Sequence, residues 1–208
     1  MKKISLLIAA LVGVVNLYAA LPVRYGVTGG VNFAWAHSAA TELSEVNSSD
    51  CFLGFNAGVK VDVDLRSVLQ ESFYADARLL YTLKGARWSG VHQNLGYVEL
   101  PLNFGYRFEA VPGFNILAGL GPYLGYGILG KNVASIDGAK VKTDLFGDGY
   151  KRFDFGLNYN IGVEAWNNWQ IFLGFEHSFM NVAKKSFEGG SDIKVRPYNF
   201  YIGTAIFF

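Results

Sequence analysis

Glu176, His177 and Ser178 are consecutive residues that carry an acid, an imidazole and a hydroxyl, the three groups of a hydrolytic triad. In such a site the His accepts the Ser proton and the acid orients the His, so the three side chains must meet. The surrounding segment, however, alternates like a β-strand, in which successive side chains point to opposite faces. His177 should therefore point away from its two neighbours, and we predict that the chain is not an enzyme.

Residues 125–130, Gly-Tyr-Gly-Ile-Leu-Gly, match the pattern G-x-G-x-x-G. A dinucleotide site with this pattern needs a strand before it and a helix after it. The residues that follow here are polar and contain glycine, which is not a helical pattern. We therefore predict a strand with small inward side chains, and no cofactor.

Asp144, Asp148 and Asp154 are the nearest approach to a calcium-binding pattern. The EF-hand spacing of ligands is absent, so we predict no metal site. His37 and His92 fall in predicted loops, where we expect them to be solvated.

Charged residues occupy one phase of several alternating segments. In 53–64 the odd-numbered residues are Leu, Phe, Ala and Val, and the even-numbered ones are Gly, Asn, Lys and Asp; segments 97–108 and 153–165 alternate similarly. In a membrane barrel the large apolar residues face lipid and the polar ones face the interior. The predicted interior polar network consists of Lys60, Asp62, Asp76, Arg78, Lys84, Glu99, Arg107, Asp154, Glu164 and Glu176. We expect these charges to form ion pairs that fill the barrel, because isolated buried charges are costly. Lining a pore or forming acid–base pairs are the alternatives.

Eight alternating segments must position these side chains. They are 24–35, 53–64, 73–86, 97–108, 114–128, 153–165, 170–180 and 198–208. Each is near or above the roughly 9–11 residues that a membrane-spanning strand needs. Hydrophobic residues make up 51% of the chain and charged residues only 17%, yet no segment after residue 19 resembles a membrane helix. Since only helices and closed barrels satisfy their backbone in lipid, we predict an all-β fold, an eight-stranded antiparallel transmembrane β-barrel of the outer-membrane type.

The connections between these strands alternate in length. Segments 36–52, 87–96, 129–152 and 181–197 are long and polar, whereas 65–72, 109–113 and 166–169 are short. Long extracellular loops and short periplasmic turns give this rhythm in outer-membrane barrels. We therefore expect both termini to be periplasmic.

The first residues resemble an export signal. Lys2 and Lys3 precede an apolar run from Ile4 to Val15, and small residues follow. We predict a signal peptide at 1–19 and a barrel domain at 20–208. Without Lys2 and Lys3 the charge is 18 − 2 = 16 basic against 17 acidic residues, so no polycation is present to bind nucleic acid. A single Cys, Cys51, cannot form an intramolecular disulfide.

Four motifs in order resemble those of the PorT-like outer-membrane β-barrel family of Bacteroidota. They are Leu-Leu-Tyr-Thr-Leu-Lys-Gly-Ala at 79–86, Tyr-Val-Glu-Leu-Pro-Leu at 97–102, Gly-Leu-Gly-Pro-Tyr-Leu-Gly-Tyr at 119–126 and Phe-Asp-Phe-Gly-Leu at 153–157. The resemblance implies an eight-stranded barrel in the outer membrane and assigns no particular activity.

The last eight residues, 201–208, alternate and end on Phe208. They resemble the signal read by the barrel-assembly machinery, with Gly203, Ile206 and Phe208 at the characteristic positions. The partners expected from the sequence are therefore outer-membrane lipid, the barrel-assembly machinery and a protein that contacts the loops.

Three functions follow from this interpretation. The first is a structural or interaction component that works through its extracellular loops or as a subunit of a membrane assembly. The alternative is a narrow pore or carrier for small solutes, and the third is a lipid-modifying barrel enzyme.

Overall fold

The computed structural model describes residues 21–40, 46–88, 91–136, 139–183 and 193–208. The predicted signal peptide lies outside these residues. The strands are β1 (Val23–Ala40), β2 (Val46–Ser48), β3 (Phe52–Asp64), β4 (Phe73–Trp88), β5 (Val91–Val111), β6 (Phe114–Ile136), β7 (Ala139–Asp144), β8 (Phe153–Ala165), β9 (Trp169–Ser178) and β10 (Ile193–Phe207). Two one-turn helices, α1 (Arg66–Leu69) and α2 (Leu145–Asp148), lie in connections. No helix in the described residues is long and apolar enough to cross a membrane.

Eight of these strands form a closed antiparallel ring. The order is β1, β3, β4, β5, β6, β8, β9 and β10, and β10 pairs back onto β1 from Gly26 opposite Phe207 to Ala40 opposite Ile193. Closure leaves no strand of the ring with an unpaired edge, as a sheet surrounded by lipid requires. The predicted all-β, eight-stranded antiparallel barrel is confirmed.

The strands extend further at one end of the barrel than the alternation predicted. One end of the barrel carries the start of β1, the end of β10 and the short connections, and we call it the turn end. We call the opposite end the loop end. The predicted loop 87–96 is wrong, because β4 continues to Trp88 and β5 starts at Val91. The predicted loop 129–152 is also partly strand, since β6 continues to Ile136 and returns as β7. Beyond the bilayer the ladder hydrogen bonds continue, but lipid no longer imposes an alternation of apolar and polar residues.

The outward face of the ring is apolar. Leu53, Phe55 and Val59 on β3 are about half exposed, as are Phe104 on β5 and Leu120 on β6. Soluble monomers rarely expose so large a continuous apolar surface. The pattern is that of a barrel whose outer face contacts lipid.

The β8–β9 turn carries an unusual backbone conformation. Trp166 and Asn167 have φ of 51° and 60°, which gives a type I′ turn whose twist suits a tight hairpin. A left-handed conformation is strained for Trp. In this conformation Trp166 is 65% exposed, and its ring stacks on that of Trp169 with 6.4 Å between the ring centres. Tryptophans at this height are typical of a membrane interface.

Candidate functional site: a sealed interior and its cap

The structure places all ten residues of the predicted polar network on the inner face of the ring. Each is at least nine-tenths buried: Lys60, Asp62, Asp76, Arg78, Lys84, Glu99, Arg107, Asp154, Glu164 and Glu176. They are arranged in three layers, one above another, between the turn end and the loop end.

The layer at the turn end joins two arginines to two acids. Arg24 Nη2 lies 2.8 Å from Asp62 Oδ1 and 2.7 Å from Glu164 Oε2. Arg107 Nη2 lies 3.0 Å from Asp62 Oδ2, so Asp62 is held by both guanidiniums. Arg24 also donates to the backbone carbonyl of Asn167 in the β8–β9 turn. These bonds connect β1, β3, β5 and β8 across the mouth of the barrel.

Like charges face each other on β3 and β4 in the middle layer. Lys60 is opposite Arg78 and Asp62 is opposite Asp76, a pairing that is unfavourable in isolation. The diagonal contacts offset it, because Lys60 Nζ lies 3.5 Å from Asp76 Oδ2. Lys60 also donates to Gln170 Oε1 at 2.8 Å on the far side of the barrel.

A hydrogen-bonded chain crosses the barrel in the same layer. Arg78 donates to the Tyr201 hydroxyl at 2.8 Å, which donates to Asn158 Oδ1 at 2.7 Å. Asn158 in turn donates to Asn103 at 2.7 Å, and Asn103 donates to Asp76 at 2.9 Å. The chain therefore leaves β4 and returns to it, and the side chains fill the space that a channel would occupy.

The layer nearest the loop end is centred on Lys84. Its ammonium lies 2.6 Å from Glu99 Oε1 and 2.6 Å from Glu176 Oε2, and 5.1 Å from the centre of the Tyr123 ring. Asn199 donates to Glu176 at 3.0 Å. One cation thus neutralises two buried carboxylates, and its removal would leave both without a counter-charge.

The acid, imidazole and hydroxyl of the candidate triad do not converge. Ser178 points inward and donates to Asp154, and Glu176 points inward to Lys84. His177 points outward, where its ring stacks on Tyr198 at 5.0 Å. The geometry of a Ser–His pair is therefore missing at these residues.

A hydrophobic cap closes the loop end. The ring of Phe146, on α2, packs against the Cα positions of Gly127 and Gly130, where any larger residue would collide with it. It meets Tyr97 edge to face at 5.8 Å, and the Arg152 guanidinium lies 5.2 Å from its centre. The cap consists of Ala36, Ala86, Leu95, Tyr97, Leu145, Phe146, Tyr150, Val182, Ala183 and Val195. Two glycines of the G-x-G-x-x-G pattern therefore make room for a phenylalanine, in a strand as predicted.

Sequence reasoning missed this cap. The sequence feature that could have predicted the cap is the apolar pair Leu145-Phe146, which follows Asp144 inside an otherwise polar connection. Asp144 accepts a hydrogen bond from the backbone amide of Phe146 at 3.0 Å and so begins α2. Asp154, the third acid of the calcium-like set, lies inside the barrel instead. Within the described ranges, no three His, Cys, Asp or Glu side chains group as metal ligands.

Two cavities lie at the ends of the interior. The one beneath the cap has a volume of about 20 Å³ and is lined by residues that include Lys84, Tyr97, Tyr150 and Asp154. It has room for about one water molecule. Tyr150 donates to Gln93 at 2.9 Å, and burial raises the pKa of its hydroxyl.

The other cavity opens at the turn end. It has a volume of about 260 Å³, and the charged residues that line it are Arg24, Arg66, Arg107, Asp64 and Glu164. Arg66 pairs with Asp64 at 2.6 Å, so each of the three arginines that line this cavity is already paired with a carboxylate.

The C-terminal residues alternate across the wall of the barrel. Gly203 faces inward against Phe172, whereas Ile206 faces outward and Phe208 is 86% exposed. The backbone amide of Phe208 donates to the Tyr25 carbonyl at 3.0 Å, which fastens the end of the chain to β1.

Comparison with known proteins gives a family. The model of the outer membrane protein beta-barrel domain matches residues 18–184. No similar sequence is found among curated proteins. Among solved structures, the chain is similar to Neisserial surface protein A, with 14% identity, a TM-score of 0.48 and coverage of 90% of this chain and 99% of that one. A major outer membrane protein from Thermus thermophilus gives 11% identity, a TM-score of 0.45 and coverage of 89% and 99%. OprG from Pseudomonas aeruginosa gives 11% identity, a TM-score of 0.42 and coverage of 89% of this chain and 94% of that one. Because the family model spans most of the chain, from before β1 to the residues that follow β9, the protein belongs to the outer membrane protein beta-barrel domain family.

Proposed function

We propose that this outer-membrane barrel is a structural or interaction component that works through its loop-end surface, alone or as a subunit of a membrane assembly. The observation that carries the proposal is the sealed interior. Asp62 in the layer at the turn end, Asn158 in the middle layer and Glu99 in the layer nearest the loop end are each at most 1% exposed to water. A water molecule does not reach these side chains, so the outside of the barrel and its loops remain as the working surface.

The placement of the chain in the membrane is part of this proposal. We infer that residues 1–19 are removed as a signal peptide and that Gly203, Ile206 and Phe208 are read by the barrel-assembly machinery. We also infer that the turn end, with both termini, faces the periplasm. The motifs at 79–86 and 97–102 support membership of the PorT-like group within the family.

Cys51 provides a test of this orientation. It is exposed between β2 and β3 at the loop end and is the single cysteine of the chain. On intact cells, a polymer maleimide too large for outer-membrane pores should label Cys51. In the variant Cys51→Ser/Gln70→Cys, whose thiol lies at the turn end, labelling should require lysis. The reverse result would place the loop end in the periplasm.

A narrow pore is the second candidate function, because cavities lie at both ends of the interior. Ion conductance in planar bilayers separates it from the first. We expect no steady conductance from the purified protein or from Phe146→Ala, since the three ion-paired layers lie below the cap. Conductance by the native protein would establish the pore, and conductance by Phe146→Ala alone would identify the cap as a gate.

A lipid-modifying enzyme is the least supported function. The outward position of His177 separates it from Ser178 and Glu176. A role as a subunit of a membrane assembly predicts a particle larger than one barrel, with a stoichiometric companion, after gentle detergent extraction. A lone barrel would contradict a role as an assembly subunit.

A further inference from the structure

The outward side chains of β10 change character in order toward the loop end. Phe200 is followed by Tyr198, then Arg196, then Lys194, all on the outer face. On β10 the order runs from an apolar ring, through a ring with a polar edge, to two cations. The neighbouring strand β1 repeats the first two steps, because Phe33 is opposite Phe200 and Trp35 is opposite Tyr198, and its next outward residue, His37, is opposite Arg196.

The rings form a connected shelf. Trp35 and Tyr198 stack at 6.1 Å with an 11° angle between their planes, and Tyr198 and His177 stack at 5.0 Å and 21°. His37 stands edge-on to Tyr198 at 4.9 Å. The Trp35 indole donates to His37 Nε2 at 3.3 Å, and His37 Nδ1 lies 3.0 Å from Ser48 Oγ. These contacts fix the shelf at one height on β9, β10 and β1.

Two cations stand just beyond this shelf. Arg196 and Lys194 are exposed, and neither side chain has an ion pair or hydrogen bond within the described ranges. Three other loop-end cations, Arg152, Lys151 and Arg87, are engaged within the chain, whereas Lys131 and Lys142 on the β6–β7 hairpin are exposed. Arg152 donates to the Gly127 carbonyl, Lys151 donates to the Asn181 carbonyl at 3.1 Å, and Arg87 lies 5.9 Å from the Phe52 ring.

The heights of these groups match the depth profile of a bilayer. Tyr and Trp lie at the boundary between acyl chains and headgroups. With a rise of about 3.3 Å per residue, Arg196 stands about 7 Å and Lys194 about 13 Å beyond Tyr198 along the strand. The two cations therefore lie at the level of the lipid phosphates.

We propose that the face formed by β9, β10 and β1 binds a phosphate-bearing lipid. Arg196 and Lys194 hold the phosphate, the guanidinium through paired hydrogen bonds. The acyl chains run over the shelf and onto Phe200 and Phe33, whose rings lie 6.1 Å apart. The apolar rings directly below the cations favour a lipid over free phosphate. The inference rests on the placement of this face in the membrane.

The test compares lipids that differ only in the headgroup. The folded barrel in neutral detergent is titrated with phosphatidic acid or with phosphatidylcholine of the same chains, and bound lipid is counted by native mass spectrometry. The native protein should prefer phosphatidic acid. Arg196→Gln/Lys194→Gln should weaken that binding about tenfold or more, because two charge-assisted contacts are lost.

A matched control variant removes the same number of positive charges from a different part of the loop end. Lys131→Gln/Lys142→Gln removes two exposed cations from the β6–β7 hairpin, away from this face, and should bind phosphatidic acid like the native protein. Equal binding by both double variants, or an equal loss in both, would overturn the proposal. Full competition by inorganic phosphate would assign the site to the free anion instead. A barrel that inserts into vesicles but shows no lipid preference refutes this inference alone, whereas failure to insert refutes the membrane placement as well.

Discussion

Lys84→Met should destabilise the folded barrel by about 3–5 kcal/mol, because it removes one partner of a buried ion pair and leaves the others charged. The ammonium is the group that lies 2.6 Å from both Glu99 and Glu176. Methionine keeps most of the volume of the side chain, so lost packing contributes little. The measurement is the free energy of unfolding in guanidinium, followed by circular dichroism in detergent.

Two variants show whether charge is the cause. Lys131→Met makes the same chemical change at an exposed position and should shift stability by less than about 0.5 kcal/mol. Lys84→Met/Glu99→Gln/Glu176→Gln replaces both carboxylates with amides and should recover much of the loss. If the triple variant is less stable than Lys84→Met, the layer is held by something other than charge balance.

Leu120→Arg should cost about 2–4 kcal/mol, since an arginine on the lipid face at the bilayer midplane is expensive. Leu120 is 56% exposed and lies on β6 midway between Phe114 near the turn end and Tyr126 near the loop end. Its neighbours across the ladder, Phe104 and Tyr159, are also apolar and outward. The effect is measured as the free energy of unfolding from lipid vesicles.

The cost of arginine should depend on how deep in the bilayer the residue lies, and this dependence distinguishes lipid from water around the barrel. Val111→Arg places the same side chain at the turn end of β5, where the expected cost falls to about 0–1 kcal/mol. A soluble barrel would tolerate arginine equally at both exposed positions. Equal costs at Leu120 and Val111 would therefore argue against a bilayer around the barrel.

The membrane-embedded part of the fold is predictable from the sequence because lipid imposes a strict alternation there. The alternation predicts a strand at 153–165, and β8 has those bounds. At the loop end the rule no longer holds, since outward positions face water or headgroups. Arg87, Lys131 and Arg196 are exposed at this end, and the alternation ends before the strands do.

The arrangement of the interior is also predictable only in part from the sequence. Which charges point inward follows from the strand phase, but their partners do not. Arg24 meets Glu164 across 140 positions of the chain, and Lys60 meets Gln170 across 110. Such pairs depend on the register and curvature of the whole ring. The cap was missed for another reason, because Phe146 lies in a connection whose composition is otherwise polar.

The seam between β10 and β1 has a kinetic consequence. It joins Gly30 to Gly203, so the contacts that close the ring have the largest sequence separation in the molecule. Until β10 arrives, the amides along one edge of β1 and of β9 have no partner, and lipid offers them none. A partly inserted sheet is therefore not a stable intermediate, and such distant contacts form slowly. Ring closure is thus the committing step of insertion, and the last 15-residue strand decides whether the seven before it keep their place in the bilayer.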